Sequence, residues 1–227
     1  AELAAHTVEL IARLEDSDES VRNAAVGALS RLEPVALVEH TDELARRLVH
    51  PAWRVRRAAV QALAKLEPAC LAAQAEVLVV CLEDVDEDVR TAAVLFLNKF
   101  DPAALVAHAG APVARFDDSD EGVRRAAVEA LRKLEPVALA THATALVTRL
   151  QDAKWLVRQA ALDTLCKLEP VALAVHADSL VACLKDPDVD VRRAAVSTLG
   201  RLDRAALALH AHALTRCFRD TNKAVRE

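Results

Sequence analysis

Residues 118–151 read DSDEGVRRAAVEALRKLEPVALATHATALVTRLQ, and this stretch decides the fold. In its first half Val123, Ala126, Ala127, Ala130, Leu131 and Leu134 fall on one stripe at helical spacing. Asp118 and Asp120 precede the stripe as capping candidates, and Lys133 lies in the last turn, where a cation suits the helix dipole. Glu135-Pro136 ends this helix A, because the residue before a proline avoids the α region. Proline then opens a second helix, B, at a position where its missing N–H costs nothing. Helix B carries Leu139, His142, Ala143, Leu146, Val147 and Leu150 on one face. So short a turn makes the two helices antiparallel, and neither buries its apolar stripe alone. Stacking of neighbouring units has to complete the core.

The stretch is one copy of a repeat. Val-Arg recurs at Val21-Arg22, Val55-Arg56, Val89-Arg90, Val123-Arg124, Val157-Arg158, Val191-Arg192 and Val225-Arg226, always 34 residues apart. Periods of this size mean a solenoid. With position 1 of the unit at Asp16, the full units are 16–49, 50–83, 84–117, 118–151, 152–185 and 186–219. Residues 1–15 match positions 20–34, a lone helix B, and residues 220–227 open a further helix A. The expectation is one all-α repeat solenoid of antiparallel helix pairs over residues 1–227, read as an excerpt of a longer protein. Composition agrees, since 53% apolar residues with only 3% aromatic places the apolar content in Ala, Val and Leu, as helix-rich chains require. An all-β fold and disorder are both excluded by that pattern.

The pattern D-x-D-x-x-V-R-x-A-A-V-x-A-L-x-K-L, followed by a second helix ending L-V-x-x-L, resembles the HEAT repeat family, and within it the phycobilisome-lyase-like repeats. The likeness runs the length of the chain. It implies an α-solenoid that binds other proteins along a curved face, and it leaves a bilin- or tetrapyrrole-handling role as the alternative. This unit departs from the family by an extra Pro-x-Ala-Leu turn at the start of helix B.

Three columns of residues could carry chemistry. Position 25 holds His6, His40, His108, His142, His176 and His210, with Gln74 in the remaining place. Helices pack about 8–10 Å apart, whereas ligands of one zinc ion need bonds of about 2 Å. A neutral, hydrogen-bonding role between packed helices therefore outweighs a metal ladder. The arginines at position 7 read as an ion-pair ladder to aspartates that begin the same or next unit, in preference to a phosphate stripe. Trp53 and Trp155 at position 4 suggest cation–π contact with Arg56 and Arg158, three residues on, or an aromatic anchor for a partner. Unit 84–117 should be the irregular one, because Gly110-Ala111-Pro112 interrupts its helix B while Phe96, Phe100 and Phe116 replace smaller or aliphatic residues.

Enzyme signatures are missing: the four glycines are scattered, and H-E-x-x-H does not occur. The sequence predicts a non-enzymatic scaffold with no cofactor or metal. A net charge of −5 argues against nucleic acid as partner. No apolar run approaches the roughly 18 residues of a membrane span. Five cysteines without a CxxC pair point to reduced thiols in a cytoplasmic setting. The partner is expected to be a protein or peptide, with head-to-tail self-association as a second possibility, because the lone helix B and the unfinished helix A present unlike surfaces. The candidate partner-binding face comprises the outward positions of successive B helices: Ala73, Glu76 and Val80; Ala107, Gly110 and Ala114; Thr141, Thr144 and Thr148; and Val175, Asp178 and Ala182. With Ala69, Ala103, Val137 and Val171 they form sixteen positions of which only Glu76 and Asp178 are charged. A solvated helix face is usually far richer in charge.

Overall fold

An Asp-x-Asp turn, a Val-Arg pair and an Ala-rich run build the same long helix again and again. The computed structural model describes residues 6–29, 31–32, 39–64, 81–97, 100 and 102–226. In chain order the described α-helices begin with α1 (Thr7–Ala12), α2 (Glu19–Leu29), α3 (Thr41–Arg47), α4 (Trp53–Leu63), α5 (Glu87–Leu97) and α6 (Pro102–His108). They continue with α7 (Gly110–Ala114), α8 (Glu121–Leu131), α9 (Pro136–Ala140), α10 (Ala143–Thr148) and α11 (Trp155–Leu165). The last are α12 (Pro170–Ala174), α13 (Ala177–Ala182), α14 (Val189–Leu199), α15 (Arg204–Leu209), α16 (Ala211–Cys217) and α17 (Lys223–Arg226). The described residues contain no strand. The chain divides into two compact units, Ala1–Ala111 and Pro112–Glu227. Each is an α-solenoid segment.

In the first unit α2 packs on α4 and α4 on α5; in the second, α8 packs on α11 and α11 on α14. Within each unit, successive long helices thus cover one another. Val123, Ala127, Ala130, Leu131 and Leu134 are fully buried, Ala126 nearly so, and Leu139, Leu146 and Leu150 close the core from the other layer. Alanine at the helix-to-helix contact lets the axes approach, and leucine fills the space between layers. At the helix starts Asp120 accepts from the Val123 N–H at 3.0 Å, and Asp188 accepts from the Asp190 and Val191 N–H groups. Glu135 is extended and Pro136 is the first residue of α9, as its geometry favours.

The second half of the repeat differs from expectation. Helix B is not continuous: α9 and α10 are separate segments, as are α12 and α13, and α15 and α16. The joint falls on the histidine column. His6, His40, His142, His176 and His210 have φ between −103° and −116° and ψ between 3° and 13°, the sparsely used bridge region. The His142 N–H bonds to the Leu139 carbonyl, three residues back, so the ladder tightens before α10 restarts it. Leu139, Ala143, Leu146 and Leu150 are buried all the same, which is why periodicity alone could not detect the joint.

Unit 84–117 is consequently less exceptional than expected. Its break falls at Ala109, between α6 and α7, within two residues of the equivalent break in the other described B helices. Pro112 is the third residue of α7, in the first turn, where a missing N–H is tolerated. Phe96, Phe100 and Phe116 are all buried, and Phe100 packs edge-on against Phe96 at 5.6 Å and beside His108 at 6.0 Å.

Candidate functional site

The position-7 arginines form the most regular polar feature. Arg56 grips Asp84 with two hydrogen bonds, Nε at 2.5 Å and Nη2 at 2.6 Å. Arg124 holds Asp152, Arg158 holds Asp186 and Arg192 holds Asp220 in the same bidentate way, always 28 residues apart. Each aspartate opens the next repeat and also caps its own turn, accepting the N–H two residues on. The third arginine nitrogen, Nη1, donates to backbone carbonyls five and six residues earlier, as in Arg124 to Asp118 and Ser119. Side chains in these pairs are 4–14% exposed. Burial pulls against the charge of Asp84 and Asp152, but hydrogen bonds from the arginine and the turn N–H prevail and hold both carboxyls below their usual range. Asp220 is lowered chiefly by its hydrogen bond with Arg192. The groups are mutually satisfied, so this ladder is a joint between repeats.

That commitment corrects the reading of the tryptophans. Arg56 and Arg158 are not over the indoles, because a bidentate carboxylate and two carbonyls outcompete a ring face. Arg54 lies over Trp53 instead, 4.8 Å from the ring centroid. Trp155 is 38% exposed.

The histidine column is likewise not the hydrogen-bonding row expected. Among the described residues its ring nitrogens make no hydrogen bond; His6 and His210 only approach Glu9 at 3.7 Å and Asp178 at 3.9 Å. Position 25 marks a backbone joint, at which His40, His142, His176 and His210 are half-buried and His6 is exposed. No group of three or more His, Cys, Asp or Glu side chains suited to a metal ion occurs among the described residues. Burial pushes the Cys81 and Cys183 thiols up to about 11, which keeps them protonated and poorly nucleophilic at neutral pH.

A second set of inter-repeat pairs was not anticipated. Arg47, at position 32, reaches Glu15 at 2.9 Å, and Arg149, at the same position, reaches Asp117 at 2.8 Å and the Phe116 carbonyl. The sequence did carry the signal. Arginine stands at position 32 where the preceding unit ends in an acid, as at Glu15/Arg47, Glu83/Arg115 and Asp117/Arg149. Cysteine stands there where it does not, as at Val49/Cys81, Gln151/Cys183 and Lys185/Cys217. A half-buried guanidinium without its carboxylate would be costly, and a small apolar thiol fills the place.

Of the expected binding face, Ala69, Ala73, Glu76 and Val80 lie outside the described residues. In the first unit Ala103, Ala107 and Gly110 are exposed, and Val106 beside them is 50% exposed. In the second unit Ala114, Thr141, Thr144, Thr148, Val175, Asp178 and Ala182 are all exposed. Val137, Val171, Val175 and Leu209 are the bare apolar side chains there, 78–83% exposed. The hydroxyls of Thr141 and Thr148 turn back to the carbonyls of Ala138 and Ala145 at 2.7 Å, so these threonines offer mainly their methyl groups.

Repeating helices joined by buried ion pairs, one layer long and one broken, define an α-solenoid repeat protein. The sequence profile of HEAT repeats matches residues 7–98, 44–132 and 143–227, and the chain belongs to the HEAT repeat family. Solved structures share the fold. An engineered protein is 19% identical over 88% of this chain and 96% of its own, with a TM-score of 0.64. A designed armadillo repeat protein is 19% identical, covering 86% of this chain and 99% of its own, at a TM-score of 0.59. Another, solved in complex with the peptide (KR)4, is 18% identical, covering 89% and 100%, at 0.65. No curated protein sequence matches the chain. No described helix is long and apolar enough to cross a membrane.

Proposed function

We propose that the chain is a non-enzymatic scaffold that captures a protein or peptide segment on the outward surface of its short, broken helices. The observation that carries this reading is the bare strip on Pro112–Glu227, where Val137, Val171, Val175 and Leu209 stand 78–83% exposed beside threonines whose hydroxyls are internally bonded. An exposed apolar strip rimmed by polar groups marks a contact surface more often than an inert one. The armadillo repeat neighbour bound to (KR)4 is a repeat scaffold of this kind holding a peptide, which supports the general role. The bilin-handling alternative rests only on the likeness to lyase-like repeats.

Panning a random-peptide library against the immobilised protein tests the proposal. Enriched peptides should carry aliphatic anchors, and the double variant Thr144→Arg/Val175→Arg should lose them by about tenfold or more in affinity. Its thermal unfolding should stay within about 0.5 kcal/mol of the parent, because both sites are exposed. Peptides that bind parent and variant equally would refute the assigned face.

A further inference from the structure

The long helices of Pro112–Glu227 present an outward face of quite different character from the broken helices. Along it lie Arg125, Arg132, Arg193 and Arg201, all exposed. Arg125 is held only loosely, 3.9 Å from Glu129 with both side chains 46% exposed. Arg132 and Arg201 make no side-chain hydrogen bond among the described residues, and Arg193 bonds to Asp190 at 2.8 Å in an exposed pair. Exposed pairs of this sort contribute little and exchange readily for another carboxylate. Asp163 sits between Arg132 and Arg193 in the field of both, half-buried, with no ion pair to either within 4.0 Å. These guanidiniums are therefore available, on a chain whose net charge is −5.

Between α8 and α11 the same face holds a groove of about 190 Å³, walled by Arg125, Glu129, Arg132 and Asp163, with Gln159 and Ala160 beside them. We infer that this long-helix face binds an acidic peptide in extended conformation, its carboxylates on Arg125, Arg132, Arg193 and Arg201. The spacing fits. Neighbouring helices stand about 8–10 Å apart, and an extended chain advances about 3.3 Å per residue, so roughly three residues pass each repeat. Arg125 and Arg193 hold the same unit position two repeats apart, which places their partners about six residues apart on the same side of the strand. Gln159, at that position in the repeat between, has both donor and acceptor for the peptide backbone. A nucleic acid fits less well. It would bring a continuous row of phosphates past Glu129 and Asp163 toward an acidic molecule, whereas a peptide can place neutral residues there.

This surface is separate from the apolar strip, and its test is chosen to succeed or fail independently. The probes are fluorescein-labelled Gly/Ser octapeptides with glutamate at the first and seventh positions, the same peptide with glutamine, and a twelve-nucleotide oligothymidine. Anisotropy at low and high salt should show the glutamate peptide binding, weakening with salt, and the glutamine peptide failing. Arg132→Glu/Arg193→Glu should reduce binding at least about tenfold, and Arg132→Gln/Arg193→Gln by less, while Thr144→Arg/Val175→Arg leaves it unchanged. Circular dichroism of each variant checks that the helices persist. Absence of binding by the glutamate peptide, equal binding by the charge-reversed variant, or tighter capture of the oligothymidine through the same arginines would overturn the inference.

Discussion

Two junctions in the first unit use the same arginine differently. Arg22 and Arg56 are both buried, at 5% and 9% exposed, and both donate Nη1 to a pair of carbonyls, Asp16 and Ser17 for one, His50 and Pro51 for the other. Arg56 also grips Asp84. The residue that corresponds to Asp84 for Arg22 is His50, whose Nδ1 accepts the Ala52 N–H at 3.1 Å, as Asp84 accepts the Asp86 N–H. His50 thus keeps the turn and drops the ion pair. The difference teaches that clamping the inter-repeat turn is the constant duty of this arginine, and that the carboxylate is an added rung.

Acid should break the comparison most widely, because it removes several rungs together. The folded-state pKa values of Asp84, Asp152 and Asp220 are depressed. Their contribution is complete above the unfolded value of about 3.9 and is lost as pH falls through the lower folded values. Stability measured by urea titration should hold from neutrality to about pH 4 and fall below it. Hydrogen exchange should show the loss in α4, α5, α8, α11 and α14, while α2, whose arginine lacks a rung, changes least.

Asp84→His converts the second junction into the first. The turn can survive, since His50 already performs it, so the variant isolates the ion pair. A loss of about 3 kcal/mol is expected, the low end for breaking a buried pair, because Arg56 keeps its two carbonyls. Denaturant unfolding measures it, and a change under about 0.5 kcal/mol would mean that the rung is ornamental. The reverse substitution, His50→Asp, should sharpen the contrast from the other side by completing a rung with Arg22. A gain of about 1–2 kcal/mol is expected from charge-assisted hydrogen bonds, visible as slower exchange in α2 and α4.

Much of this was legible in the residues. The 34-residue register, the buried faces of the long helices, the aspartate caps and the pairing of position-7 arginines with the next repeat follow from spacing and charge alone, and the helices bear them out. Outside unit 84–117 the joint in helix B was not legible, because neither glycine nor proline marks it and the leucine period runs through it unbroken. The role of the histidines was misread for the same reason: a half-buried imidazole between apolar stripes suggests a hydrogen bond, while the backbone uses that position to turn. The Arg54 contact with Trp53 was missed because the preferred partner, Arg56, had a stronger acceptor 28 residues away.

What the sequence determined by itself is what repeats: a local helical period, local caps, and a charge pair at fixed separation, each a property of a few residues that recurs from copy to copy, with His50 the exception to the pair. What only tertiary structure decided is which groups win when several compete for one partner. Whether an arginine meets a ring, a carbonyl or a carboxylate depends on distances of a few Å set by neighbouring repeats. Hydrogen bonds and ion pairs fall off over that range, whereas the periodicity of a stripe is indifferent to it.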